Sequence, residues 1–122
     1  MPPDLTTPAE VGPEEADRLV AAGALLLDVR EDDEWEAGHI SGAVHIPLGQ
    51  LTARIQELAG QHQAPGERRV VVVCRSGVRS ANAAAFLTAS GVDAINLAGG
   101  MRAWAATGLP FEAADGSPGV VA

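Results

Sequence analysis

The chain has 122 residues, enough for one domain with a single substantial core. Sixteen acidic side chains against eight basic ones give a formal charge of −8, which speaks against nucleic acid and anionic membrane as main partners. One cysteine excludes an internal disulfide framework and argues against a cysteine-based zinc site.

In chain order, residues 1–7 read as a loose, Pro-rich lead, 8–111 as the folded domain and 112–122 as a mobile tail with little to pack. The opening MPPDLTTPAE has neither a basic nor an apolar region and does not read as a secretory signal. No apolar run approaches the length of a membrane span, so a cytoplasmic protein with a free thiol is expected. Ala9 to Val11 fits a short edge strand. Pro13 after Gly12, with Glu14 and Glu15 behind it, starts a helix that Gly23 stops. ALLLDV (24–29) is a continuous apolar run ending in charge, the pattern of a buried parallel strand. An acidic helix or turn at 31–37 and a brief strand at 43–46 follow. Leu48, Leu51, Ile55 and Leu58 have helical spacing and predict an amphipathic helix over 48–59, with a polar loop at 61–68. Val70 to Val73 is the central strand, 80–90 a helix ending at Gly91, and 92–97 another strand. Gly99-Gly100 opens the last helix, which ends at Gly108. Strands alternating with helices make an α/β fold, a parallel sheet covered on both faces.

The segment RVVVVCRSGVRS (69–80) carries the chemistry. The central strand ends in Cys74, and a short loop with Arg75, Ser76, Gly77, Val78 and Arg79 leads to Ser80. Ligands of an open α/β sheet bind beyond the carboxyl ends of its strands. There, N–H groups at the helix start and its dipole favour an anionic sulfur, and two arginines add positive charge. A free cysteine commonly fills a core as a small apolar residue. The neighbouring Arg, Ser and Gly give this one little apolar company, so the reactive reading is preferred. Gly77 suits both a turn with positive φ and a nest of converging N–H groups. Asp28 and Arg30 end the neighbouring strand. A buried carboxylate there needs a cationic partner, which makes Asp28 a structural salt-bridge residue. None of His39, His45 and His62 is placed beside Cys74 by the sequence, and their spacing fits no metal-ligand pattern. His39 reads as a structural hydrogen-bonder and His62 as a surface residue, and neither a metal nor another cofactor is expected.

LLLDVREDDEWEAGHISGAVHIP (25–47), VVVVCRSGVRSANAAAFL (70–87) and INLAGGMRAWAATGLP (95–110) together resemble the single-domain rhodanese-like family. The resemblance runs from Val11 to Pro110. It implies a doubly wound α/β domain with a five-stranded parallel sheet, helices on both faces, and sulfurtransferase chemistry through a persulfide on Cys74. The donor would be thiosulfate or a persulfide, the acceptor cyanide, a thiol or a protein. Asp28 matches the family aspartate that pairs with the arginine after the cysteine, here Arg75, leaving Arg79 to face the incoming anion. Phosphatase and arsenate-reductase loops of the wider superfamily are one residue longer, with a Cys-x5-Arg pattern. Here Arg79 follows Cys74 after four residues, which makes phosphatase chemistry the weaker enzyme reading. Two departures stand out. Ser76 replaces a lysine of the two-domain thiosulfate-specific enzymes, and the acidic Glu34 stands where those enzymes contribute an arginine. Thiosulfate is then expected to bind weakly. A sulfur carrier serving one partner and a non-catalytic interaction module are the alternatives, and the intact cysteine loop weighs against the module.

Overall fold

The computed structural model describes residues 9–55 and 69–122. Its elements are β1 (Glu10–Val11), α1 (Pro13–Ala21), β2 (Leu25–Asp28), α2 (Asp32–Ala37) and β3 (Val44–His45). A 3-10 turn (Leu48–Gln50) leads into α3, described over 51–55. Then come β4 (Val70–Val73), α4 (Val78–Ala89), β5 (Ala94–Leu97) and α5 (Gly100–Ala106). The rest of the helix predicted over 48–59, the predicted loop at 61–68 with His62, and the lead 1–7 lie outside the described residues or run into them.

The five strands form one parallel sheet in the order β1-β5-β4-β2-β3. Every residue of β2, β4 and β5 is buried, as continuous apolar runs require when both faces are covered. The period of two then divides the side chains between two cores. Leu25, Leu27, Val70, Val72 and Ala94 pack on one face with Ala83, Ala84 and Leu87 of α4. Leu26, Val71, Val73, Ile95 and Leu97 pack on the other with Ala16 of α1 and Met101 and Trp104 of α5. Each fully buried Leu or Val contributes about 1.5–3 kcal/mol by removal from water. Among the described residues no helix is long and apolar enough to cross a membrane.

From β2 the chain steps outward to β3, and from β4 it steps the other way to β5. The direction of winding therefore reverses between β2 and β4, which are paired in register from Leu25↔Val70 to Asp28↔Val73. Such a reversal opens a crevice at the carboxyl ends of the two strands. Asp28 stands at one lip and Cys74 follows the other.

The segment after Pro110, expected to pack little, is laid along α2 by backbone hydrogen bonds. His39 and Glu112 exchange two (2.9 and 3.0 Å), Ala114 N–H donates to the Glu36 carbonyl, and Val120 N–H to that of Ala37. Val121 packs against the Trp104 cluster.

Candidate active site

Cys74 is 1% exposed and sits where β4 ends. Gly77 takes φ +100°, open to glycine without strain, and turns the chain at once into α4. The helix therefore starts at Val78, two residues before the start that the alanine-rich pattern predicts. This tight turn brings the Gly77 N–H to 3.0 Å from Cys74 Sγ and the Ser80 Oγ to 3.3 Å. Burial pushes the thiol pKa up. The Ser80 hydroxyl and the backbone N–H groups of Ser80, Gly77 and Ser76 outweigh it, so the net direction is downward. The twelve-residue α4 adds its dipole to the same point.

The N-terminus of α5 holds the loop from behind. Met101 N–H donates to the Cys74 carbonyl (2.8 Å) and Arg102 N–H to that of Arg75 (3.0 Å). With both carbonyls turned toward α5, the loop N–H groups are free to face the sulfur. Gly100 makes this seat possible, since a Cβ there would collide with the Cys74 carbonyl and with the Arg75 backbone. The sequence marks Gly99-Gly100 as a helix start, but its role as the seat of the loop comes only from the fold.

The arginines are placed differently from expectation. Asp28 pairs with Arg30, not with Arg75. Its Oδ2 accepts from Arg30 Nη2 at 2.8 Å, and its Oδ1 from Arg30 Nε and backbone N–H, each at 3.0 Å. Both side chains are buried, so the cationic partner that burial demands comes from two residues away, where the chain bends after β2. Arg30 Nη2 also donates to the Gly38 carbonyl (2.7 Å). Arg75 reaches the other way, its Nε donating to the Ala122 main-chain oxygen at 2.8 Å.

Arg79, expected to face an incoming anion, is held by Glu34 in a two-pronged pair (2.7 and 2.8 Å). Glu34 also accepts the N-terminal Glu31 N–H of α2, closing a capping box. The Arg79 hydrogen bonds lower the Glu34 pKa from 4.5 to about 2 against the opposing effect of burial. Because the folded value is depressed, the pair stabilises the fold above pH 4.5 and loses that contribution as pH falls toward 2.

Behind the sulfur lies a polar chain that sequence reasoning missed. Asn96 of β5 is fully buried. Its Oδ1 is 2.5 Å from Ser80 Oγ, and its Nδ2 donates to Glu10 Oε2 (2.8 Å) and to the Gly77 carbonyl (3.2 Å). The available signal was one amide in the otherwise apolar strand AINL. The two described histidines stand elsewhere. His39 Nδ1 pairs with the Trp35 carbonyl (2.8 Å), as a structural hydrogen-bonder would, and His45 Nε2 with that of Arg30 (2.8 Å). The two rings stack with Trp35. Among the described residues no group of three or more His, Cys, Asp or Glu is placed to hold a metal ion.

The profile of the rhodanese-like domain matches residues 12–107, most of the chain, including the loop from Cys74 to Ser80 with Asp28, Arg30, Glu34 and Asn96. This chain belongs to the rhodanese-like domain family. The domain is 40% identical over 93 residues to a protein of Allochromatium vinosum named sulfurtransferase, covering 75% of this chain and 81% of that one. It is 36% identical over 109 residues to the thiosulfate sulfurtransferase GlpE of Pseudomonas fluorescens, covering 88% and 94%. The crystal structure of a rhodanese-related protein from Thermoplasma volcanium superposes with a TM-score of 0.74 at 26% identity, over 85% of this chain and 97% of that one. The five-stranded parallel sheet and its flanking helices are thus the architecture of this family.

Proposed function

We propose that this rhodanese-like domain is a sulfurtransferase that carries sulfane sulfur as a persulfide on Cys74. The observation that carries the reading is the converging set of N–H and O–H donors on a cysteine at the crevice between β2 and β4. The Cys74 thiolate attacks the outer sulfur of the donor. A new S–S bond forms while the donor's own S–S bond breaks, and its electron pair leaves on a thiolate, or on sulfite when the donor is thiosulfate. The terminal sulfur of the persulfide then carries the negative charge, within reach of the loop N–H groups and the α4 dipole. A thiol, cyanide or protein nucleophile takes that sulfur and returns the pair to Cys74 as thiolate. The cycle is ping-pong and involves no net redox change.

The arginine contacts favour a donor of low charge. Arg79 is neutralised by Glu34, so a thiosulfate dianion meets less positive charge than the loop sequence promises. Glu34→Gln removes one negative charge beside the loop. It is expected to lower the KM for thiosulfate about fivefold at low salt, leave kcat nearly unchanged, and lose the effect as ionic strength rises. A KM for thiosulfate that stays at the wild-type value in low salt would remove this pair from donor selection.

The reading itself is tested by the intact mass of the protein after incubation with thiosulfate or a low-molecular-weight persulfide, before and after cyanide. The expected result is gain of one sulfur atom that cyanide removes as thiocyanate. Failure of every donor to add sulfur would leave the fold with an interaction role.

A further inference from the structure

Ser80 has one hydroxyl proton and two buried acceptors for it. Oγ is 3.3 Å from Cys74 Sγ and 2.5 Å from Asn96 Oδ1. The orientation of the Asn96 amide does not rest on an arbitrary choice between its nitrogen and oxygen. The amide's other side faces Glu10 Oε2 and the Gly77 carbonyl, both acceptors, so both hydrogens of Nδ2 are used there and the carbonyl oxygen must face Ser80. Ser80 is therefore the link between the other two side chains, since its one proton can go to Asn96 Oδ1 or to Cys74 Sγ.

We propose that Asn96 is a positioning residue that gives the Ser80 hydroxyl a second acceptor, so that its proton swings between Asn96 Oδ1 and Cys74 Sγ as charge leaves and returns to the sulfur. With a neutral sulfur, the short contact to Asn96 holds the proton, and the thiol S–H turns its weak donor toward Ser80 Oγ. With a thiolate, the hydrogen bond to sulfur becomes charge-assisted, roughly twice as strong as a neutral one. The hydroxyl then rotates to the sulfur, leaving Asn96 Oδ1 opposite an oxygen lone pair. An O–H rotation carries the change, and no covalent bond is made or broken. In the proposed sulfur-transfer cycle Sγ is charged before donor attack, neutral in the persulfide, and charged again as the acceptor takes the sulfur. The hydroxyl would follow each change by rotation, with Ser80 Oγ and Asn96 Oδ1 drawing apart from 2.5 Å once no proton lies between them. The inference rests on that cycle only for its use in turnover, because the titration of Cys74 requires no sulfur donor.

The elements packed around the Cys74 loop carry charged residues: Arg75 and Arg79 on the loop and α4, Glu34 on α2, the Asp28–Arg30 pair at β2, Glu10 on β1 and Arg102 on α5. None of them is substituted in the variants that follow, but Glu10 loses the Asn96 donor in both, and the Ser80→Ala background measures what that loss contributes by itself. Asn96→Leu, close in volume, and Asn96→Ala both remove the competing acceptor and leave Ser80 with the sulfur alone. The thiol pKa, read from thiolate absorbance or from the pH dependence of alkylation, is expected to fall by about one unit in either variant. In a Ser80→Ala background the same substitutions should produce no fall, which a merely structural role of Asn96 would not predict. An unchanged or raised thiol pKa, or an equal fall without Ser80, overturns the proposal. A mutation-free measurement stands beside these in case both variants unfold. In the wild-type protein the 13C shift of the Asn96 carboxamide should follow the thiol titration, in step with the thiolate absorbance of Cys74. A flat shift across the thiol titration also overturns the proposal.

Discussion

Asp28→Ala is expected to destabilise the fold by about 3–5 kcal/mol, the cost of leaving a buried charge without its partner. Domains of this kind retain about 5–15 kcal/mol in total, so the variant should stand near the edge of folding. The carboxylate accepts three contacts from the Arg30 guanidinium and one from its backbone N–H, all in a site closed to water. Without it the guanidinium keeps only the Gly38 carbonyl, and Arg30 Nη1 already has no partner. The turn after β2 also loses the side-chain oxygen that receives the Arg30 N–H. A double variant, Asp28→Ala with Arg30→Met, removes the stranded charge as well and should recover most of the loss. Urea unfolding measures both. A loss below 1 kcal/mol for the single variant, or no recovery in the double, would mean that water or a neighbouring group takes over the pairing.

Asp28 also marks where sequence reasoning stops. That a carboxylate ending a buried strand needs a cation follows from desolvation alone, and the structure bears this out. Which cation it takes depends on how the chain bends after β2, and the resemblance pointed to Arg75, which reaches Ala122 instead. The strands were legible because apolar runs such as LLLDV and VVVV have one stable fate in an α/β sheet, with both faces covered. The sequence expected little apolar company for Cys74, but the fold buries it at the edge of the core that holds Val72, Ala83 and Ala84, and what sets it apart is the Gly77 N–H and the Ser80 hydroxyl at its sulfur. Glu34 and Arg79 lie 45 positions apart, and no spacing rule brings them together. Asn96 carried a faint signal in AINL, yet Glu10 on an edge strand carried none. The tail after Pro110 was misjudged by composition because backbone hydrogen bonds hold it, and these leave no trace in residue type.

Cys74→Ser should abolish sulfur transfer to cyanide, by more than about 10³-fold in turnover, while changing stability by no more than about 1 kcal/mol. A serine hydroxyl accepts from the same Gly77 N–H and from Ser80, so the loop keeps its partners and α5 keeps its hold on the two carbonyls. What it lacks is ionisation. The donors that lower the thiol pKa act on a group far more acidic than an alcohol, whereas a serine hydroxyl stays protonated under the same influence. The smaller oxygen also forms no stable sulfur adduct that an acceptor could relieve. Unfolding curves and thiocyanate release, taken on the same preparation, separate the two effects. A variant with wild-type stability and no turnover assigns the chemistry to the sulfur atom. Turnover retained in that variant would move the chemistry away from Cys74, since no other thiol exists in the chain.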